Sequence, residues 1–265
     1  MAGTEVFGRL NSPATAIRTT LTWQLATVTA VRTETGTVRT IELEAAGWAG
    51  HRAGQHLDVR LTAEDGYRAE RSYSIASAPG EPPAITVQRL DNGEVSPYLT
   101  EEVRAGDELE VRGPIGGYFV WDAGGAASPL LLAAGGSGIV PLRSILRHRE
   151  RAGATVPARL LYSVRSLPDV IYRDEIDRYA SDGVSVTYAL TRNQPPGWTG
   201  HRGRVDSALL ADVAWPRSGG PVTDEPVAYV CGPTAFVESI AEGLTKLGYA
   251  PRRVKTERFG GAGGP

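Results

Sequence analysis

The stretch SPLLLAAGGSGIVPLRSILRHRERAG, residues 128–153, decides the architecture. LLLAA (130–134) is an apolar run without polar alternation, as a strand buried on both faces requires. After it, Ile139, Leu142, Ile145 and Leu146 recur at helical spacing. Between the two lie Gly135, Gly136 and Gly138, which let the chain turn tightly and bring main chain close to a ligand. A helix that opens here offers unpaired N–H groups and a partial positive charge to a diphosphate. Pro141 suits the first turn, where no N–H is missed. The pattern is GxGxxP rather than GxGxxG, and alone it fits a plain strand–helix turn as well as a nucleotide site. The strand–loop–helix setting favours the ligand.

Downstream, strands ARLLYSV, VSVTYAL and PVAYVCG alternate with helices over PDVIYRDEIDRYA, SALLADV and AFVESIAEGLTKLG. RRVKTERF follows as a last strand. This alternation predicts an α/β doubly wound parallel sheet. Upstream, from Trp23 to about Val120, the rhythm differs. TWQLATVTAV, TVRTIELEA, GQHLDVRLT, RSYSIAS, AITVQRL and DELEVRG alternate Thr, Val and Ile with polar residues between Gly, Pro and Asp. They predict a six-stranded antiparallel β-barrel. The expected organisation is an N-terminal arm (1–20), a barrel domain (21–124) and an α/β domain (125–265).

Composition narrows the function. A hydrophobic share of 41% and a charged share of 22% are those of an ordinary globular protein. No segment approaches the roughly 20 apolar residues of a membrane span. No export signal is visible either, so a cytoplasmic location is expected. The net charge of −2 and pI of about 6.1 speak against nucleic-acid binding. Lysine stands only at 246 and 255, so positive charge is nearly all arginine, which suits bidentate recognition of phosphate or carboxylate. One cysteine, Cys231, excludes an intramolecular disulfide and a four-cysteine cluster. The histidines at 51, 56, 148 and 201 have no metal-binding spacing, and no metal is expected. Ligands of open α/β sheets lie beyond strand ends, where YALTRNQ sets Thr191 and Arg192. A hydroxyl and a guanidinium there suit the extra phosphate of NADPH. Arg165, ending the preceding strand, is a lesser candidate, and Arg202 and Arg204 read better as solvated surface.

RSYSIAS, AAGGSGIVP, YVCGPTAF and the late ERF occur in one order on this layout, over roughly residues 23–260. Together they resemble the ferredoxin–NADP reductase superfamily of flavoenzymes. The resemblance implies that Tyr73 lies against the flavin face, Arg71 neutralises the FAD diphosphate and Ser74 places its hydroxyl near flavin N5. It implies further that Val87, Gly93, Val95 and Ser96 line the FAD site, the GEVSPYL segment holding the diphosphate, which favours FAD over FMN. Gly136, Ser137 and Gly138 belong to the NAD(P)H site. So do Cys231, Gly232 and Pro233, with Cys231 bordering the nicotinamide. Glu257 and Phe259 would face the flavin together, since residues two apart in a strand share a side. Phe259 would cover the ring face opposite Tyr73, and Glu257 would hydrogen-bond near Ser74 and relay a proton. Phe259 stands where plant-type relatives carry tyrosine, and six residues follow it.

The implied activity is that of an FAD-dependent reductase taking hydride from NADPH, with NADH possible. Electrons would pass singly to a separate 2Fe–2S ferredoxin or an oxygenase component. Two alternatives stay open: a flavin or ferric reductase acting on a diffusible acceptor, and a non-catalytic subunit of a redox complex.

Overall fold

A computed structural model describes residues 21–125, 128–216 and 225–259. The expected arm and the glycine-rich end after Phe259 lie outside the described residues.

Six strands form the first sheet: β1 (Gln24–Thr35), β2 (Val38–Glu44), β3 (His56–Thr62), β4 (Arg68–Ser74), β5 (Ala84–Gln88) and β6 (Glu108–Ile115). Their order is β4-β3-β6-β1-β2-β5, antiparallel throughout. An antiparallel bridge between Ile75 and Ile85 joins the two edges, so the sheet curls into a barrel. Alternation is the cause: Ile41 and Leu43 of β2 point inward and are fully buried, while Glu42 between them faces outward. Between β5 and β6 the chain makes a short helix, α1 (Ser96–Glu101). Val95, Leu99 and Val103, on and beside it, plug the barrel interior.

The second sheet holds β7 (Leu130–Gly135), β8 (Ala158–Val164), β9 (Ser185–Leu190), β10 (His201–Arg202), β11 (Val227–Pro233) and β12 (Val254–Phe259). It is parallel, in the order β10-β9-β8-β7-β11-β12. Every residue of β7 is buried, which explains its unbroken apolar run. Leu130, Leu132 and Ala134 pack on one face with α2 (Ile139–Arg151) and α3 (Arg173–Ser181). Leu131 and Ala133 pack on the other with α4 (Ser207–Val213) and α5 (Thr234–Lys246).

Two expected elements start late. The helix read over PDVIYRDEIDRYA begins only at Arg173, because Tyr172 takes a left-handed conformation (φ 60°). Val170, Ile171 and Tyr172 leave the helical path to fill the core, and the Tyr172 hydroxyl meets Thr86 of the barrel. The last strand begins at Val254, after a single 3-10 turn over Pro251–Arg253.

The two sheets share one core. Val38, Ala53, Ala76, Ala84, Phe119 and Trp121 belong to the same buried cluster as Ile139, Leu142, Ile145 and Tyr172. No described helix is long and apolar enough to cross a membrane.

Candidate functional site

From β7 the chain steps outward to β8, β9 and β10, then returns to lay β11 and β12 on the other side. Strand order therefore reverses between β7 and β11, and open α/β sheets form their ligand crevice at the C-terminal ends of such a pair. Here those ends are Gly135–Gly138 and Cys231–Pro233.

The two loops are held together by glycines. A Cβ on Gly138 would lie 2.0 Å from the Cys231 carbonyl oxygen, and one on Gly232 would lie 3.1 Å from the Gly135 Cα. Gly136 differs: its φ is +55°, and nothing lies within 4 Å of where its Cβ would be. The surface over Gly136 and the half-buried Ser137 is open, so main chain can approach a ligand there. Gly138, Gly232 and Pro233 shape this loop pair.

At the neighbouring strand ends, the Arg192 and Asn193 amides both donate to the Arg165 carbonyl, at 2.9 and 3.0 Å. Arg165 and Arg192 are exposed, and among the described residues neither guanidinium makes an ion pair. The Thr191 hydroxyl is not held out to a ligand as expected. It donates to the Val164 carbonyl (3.1 Å) and ties β9 to β8. Arg202 donates to the Trp198 carbonyl.

On the barrel, Ala69, Arg71 and Tyr73 occupy alternate positions of β4 and share a face. Tyr73 is half-buried against the barrel core, and burial pushes its phenol up to about 12. Ser74, one residue on, is half-buried with its hydroxyl unengaged among the described residues. Arg71 does not stand free: Nη2 pairs with Glu94 Oε2 at 2.5 Å, and Glu94 also accepts from the Tyr67 hydroxyl. The Tyr67 hydrogen bond, then Arg71, holds the Glu94 carboxyl below its ordinary range. Glu94 and Tyr67 are the residues missed from the sequence. A carboxylate inside GEVSPYL was a visible signal, but its partner lies 23 residues away.

The GEVSPYL loop is braced from within. Ser96 is buried and its oxygen accepts from the Leu90 amide at 3.0 Å, leaving the hydroxyl hydrogen to donate. A Cβ on Gly93 would fall 2.8 Å from that oxygen. Val87 and Val95, expected at the FAD site, have both side chains buried in the barrel core. Only their main chain is left for a ligand.

β12 runs beside β11, in a register that sets Glu257 against Cys231 and Phe259 against Pro233. Cys231 is 1% exposed, and burial, then the neighbouring Glu257, push its thiol well up. It stays a thiol and is no nucleophile. Burial alone pushes the Glu257 carboxyl up to about 7. No hydrogen bond joins Glu257 to Ser74 among the described residues, contrary to expectation; its neighbour is Cys231. Phe259 is exposed at the strand end, and no ring contact links it to Tyr73. Among the described residues no group of His, Cys, Asp or Glu is placed to hold a metal ion.

The residues present fit two dinucleotides. An open left-handed glycine at a helix start, arginines at the neighbouring strand ends that make no ion pair among the described residues, and a hydroxyl unengaged among them next to a half-buried tyrosine suit such ligands.

Residues 24–120 match the family model described as an oxidoreductase FAD-binding domain, and residues 132–242 the oxidoreductase NAD-binding domain. Ferredoxin–NADP reductase B of Sorangium cellulosum is 34% identical over 240 residues, spanning 88% of this chain and 96% of that protein. The glycine betaine monooxygenase reductase subunit of Pseudomonas aeruginosa is 32% identical over 212 residues, 78% of this chain but 56% of its own length. Among solved structures, Amycolatopsis cytochrome P450 reductase GcoB superposes with a TM-score of 0.77 at 25% identity, covering 95% of this chain and 72% of that one.

Proposed function

The chain belongs to the ferredoxin–NADP reductase family of FAD-dependent NAD(P)H oxidoreductases, and from that premise we propose that it reduces a separate 2Fe–2S ferredoxin or oxygenase component at the expense of NADPH. The observation that carries this reading is the meeting of the 135–138 and 231–233 loops at the reversal of strand order, with Glu257 alongside. Bound FAD supplies the exchange between two-electron hydride chemistry and one-electron transfer.

The chain's own residues do the rest. Arg71, with the 93–96 loop and its remaining Ser96 donor, holds the flavin diphosphate, and Tyr73 packs against the ring. Ser74 offers an uncommitted hydroxyl at the ring edge. The open main chain at Gly136 and Ser137 receives the pyridine nucleotide diphosphate at the start of α2. Arg165 and Arg192 hold the extra phosphate that distinguishes NADPH, as exposed guanidiniums free to do so. Cys231 borders the nicotinamide as a small apolar wall that keeps water out. Glu257 carries a proton near neutral pH, where it can be given up. Phe259, exposed at the strand end, is free to lie over a ring and to leave it. The one cysteine among these 265 residues cannot ligate a four-cysteine cluster, so they do not supply the acceptor's cluster themselves.

The test is a visible spectrum of the FAD-loaded protein followed by anaerobic titration with NADPH and NADH. Bleaching of the flavin bands by either nucleotide is expected; a protein that takes up no flavin sinks the reading. Coenzyme choice is tested by Arg192→Ala. Loss of a charge-assisted contact should raise KM for NADPH about tenfold, with KM for NADH nearly unchanged. Equal effects on both would remove Arg192 from the phosphate site.

A further inference from the structure

Strand β12 carries Glu257 and Phe259, yet it is the edge of its sheet, with β11 as its one partner strand among the described residues. An edge strand opens locally unless something besides the ladder holds it. Here the hold comes from the segment that leaves the barrel, residues 118–121. The Lys255 ammonium donates to the Val120 carbonyl at 3.1 Å and lies 5.2 Å from the centre of the Tyr229 ring. The Tyr229 hydroxyl donates to the same carbonyl at 2.9 Å and takes its second lone pair. Beside them, the Tyr118 hydroxyl donates to the Val254 carbonyl at 3.3 Å. The catalytic reading uses none of these four residues.

The receiving segment is itself fixed. Phe119 and Val120 are buried, and the Phe119 ring meets the Tyr229 ring edge-on at 5.2 Å. The Trp121 amide donates to the Ala53 carbonyl, and a Cβ on Gly54 would fall 2.0 Å from the Phe119 oxygen. Register carries this hold to the site. In the parallel pair, Tyr229 stands beside Lys255, Cys231 beside Glu257 and Pro233 beside Phe259. Lys255, Glu257 and Phe259 alternate along β12 and share one side, so the anchor sits about 7 Å along the strand from the acid.

We propose that Lys255 and Tyr118 are positioning residues, which lock β12 to the barrel exit and so keep Glu257 beside Cys231 and away from water. The strand with the acid and the aromatic ring is thereby tied to the domain that holds the flavin. The consequence for hydride and proton transfer rests on the reductase reading above; the lock itself does not. The titratable and charged groups that face this row are Tyr229 and Cys231 of β11, Tyr118 of the barrel exit and Arg52 of the loop before β3, with Arg258 further along β12. None of them is a carboxyl.

The test reads the Glu257 carboxyl directly. The full chain, carrying isotope-labelled glutamate, is titrated by carboxyl NMR, with Glu257→Gln identifying the signal. Wild type should titrate near 7. Lys255→Met keeps the stem and removes the donor, so the loosened strand admits water and the midpoint should fall toward the ordinary 4.5. Loss of a cation by itself acts in the opposite sense and would raise it. A raised or unmoved midpoint therefore overturns the proposal. Lys255→Arg restores a donor and a ring contact and should restore the midpoint. Should Lys255→Met not fold, Tyr118→Phe alters a side chain that is 61% exposed and should lower the midpoint by a smaller shift; no fall there overturns the proposal equally. In single turnover, bleaching of FAD by saturating NADPH should slow about tenfold in Lys255→Met, with Kd for NADPH unchanged. A midpoint that falls in a protein whose flavin never bleaches keeps the lock and sinks the reductase reading.

Discussion

Glu257 keeps its proton to about pH 7 because burial acts on it and nothing offsets that. Its ordinary value is 4.5, so the folded protein binds this proton more tightly than the unfolded chain. The stability tied to it is complete below about pH 4.5 and is lost as pH climbs through 7. Glu257→Gln should therefore melt close to wild type at pH 5 and above it at pH 8, as thermal scans at the two values would read. Acceptor turnover by wild type should fall as pH rises through about 7, and the variant should be slower with that step gone from its pH profile. The two-residue spacing of Glu257 and Phe259 was legible in the sequence because strand alternation is local. Desolvation was not, since it depends on which strands flank β12. Two hydroxyls teach the same lesson. Ser96 and Thr191 stand where a ligand reading wants them, yet Leu90 and Val164 engage them.

The strand–loop–helix unit of β7 and α2 was readable in full, since apolar runs, glycines and helical spacing are short-range signals. Its glycines nevertheless have different duties. Gly138→Ala forces a Cβ to 2.0 Å from the Cys231 oxygen, so β11 must move or the loop must open. A loss of at least about 3 kcal/mol in urea denaturation is expected. Gly136→Ala meets no atom and should cost only about 1–2 kcal/mol, the left-handed penalty. Comparable losses for both would contradict this division of roles. α3 shows where local reading stops: Val170–Tyr172 sit in a sequence fit for helix, but the buried contact of Tyr172 with Thr86 overrides propensity.

Between the sheets, Arg143 and Arg147 of α2 pair with Glu175 of α3 at 2.8 and 2.7 Å, and Arg147 and Arg151 also reach Glu81 beside the barrel. Arg143 donates to the Ala76 carbonyl and Ser144 to that of Ser77. Glu175→Gln would leave two arginines poorly matched in a mostly buried setting, for a loss of about 3 kcal/mol. Because both sheets share one core, calorimetry of wild type should give a single transition with equal calorimetric and van't Hoff enthalpies. Two resolved transitions would refute that coupling. By itself, the order of residues determined the two rhythms, the glycine loop before α2 and the motif series that marks the family, all of them patterns within a few turns or strands. Only tertiary structure decided that the 135–138 and 231–233 loops touch, that Arg71 is held by Glu94, and that Glu257 lies against a buried thiol. Those contacts join segments far apart in the chain, and their energies come from burial and approach distances that no local pattern encodes.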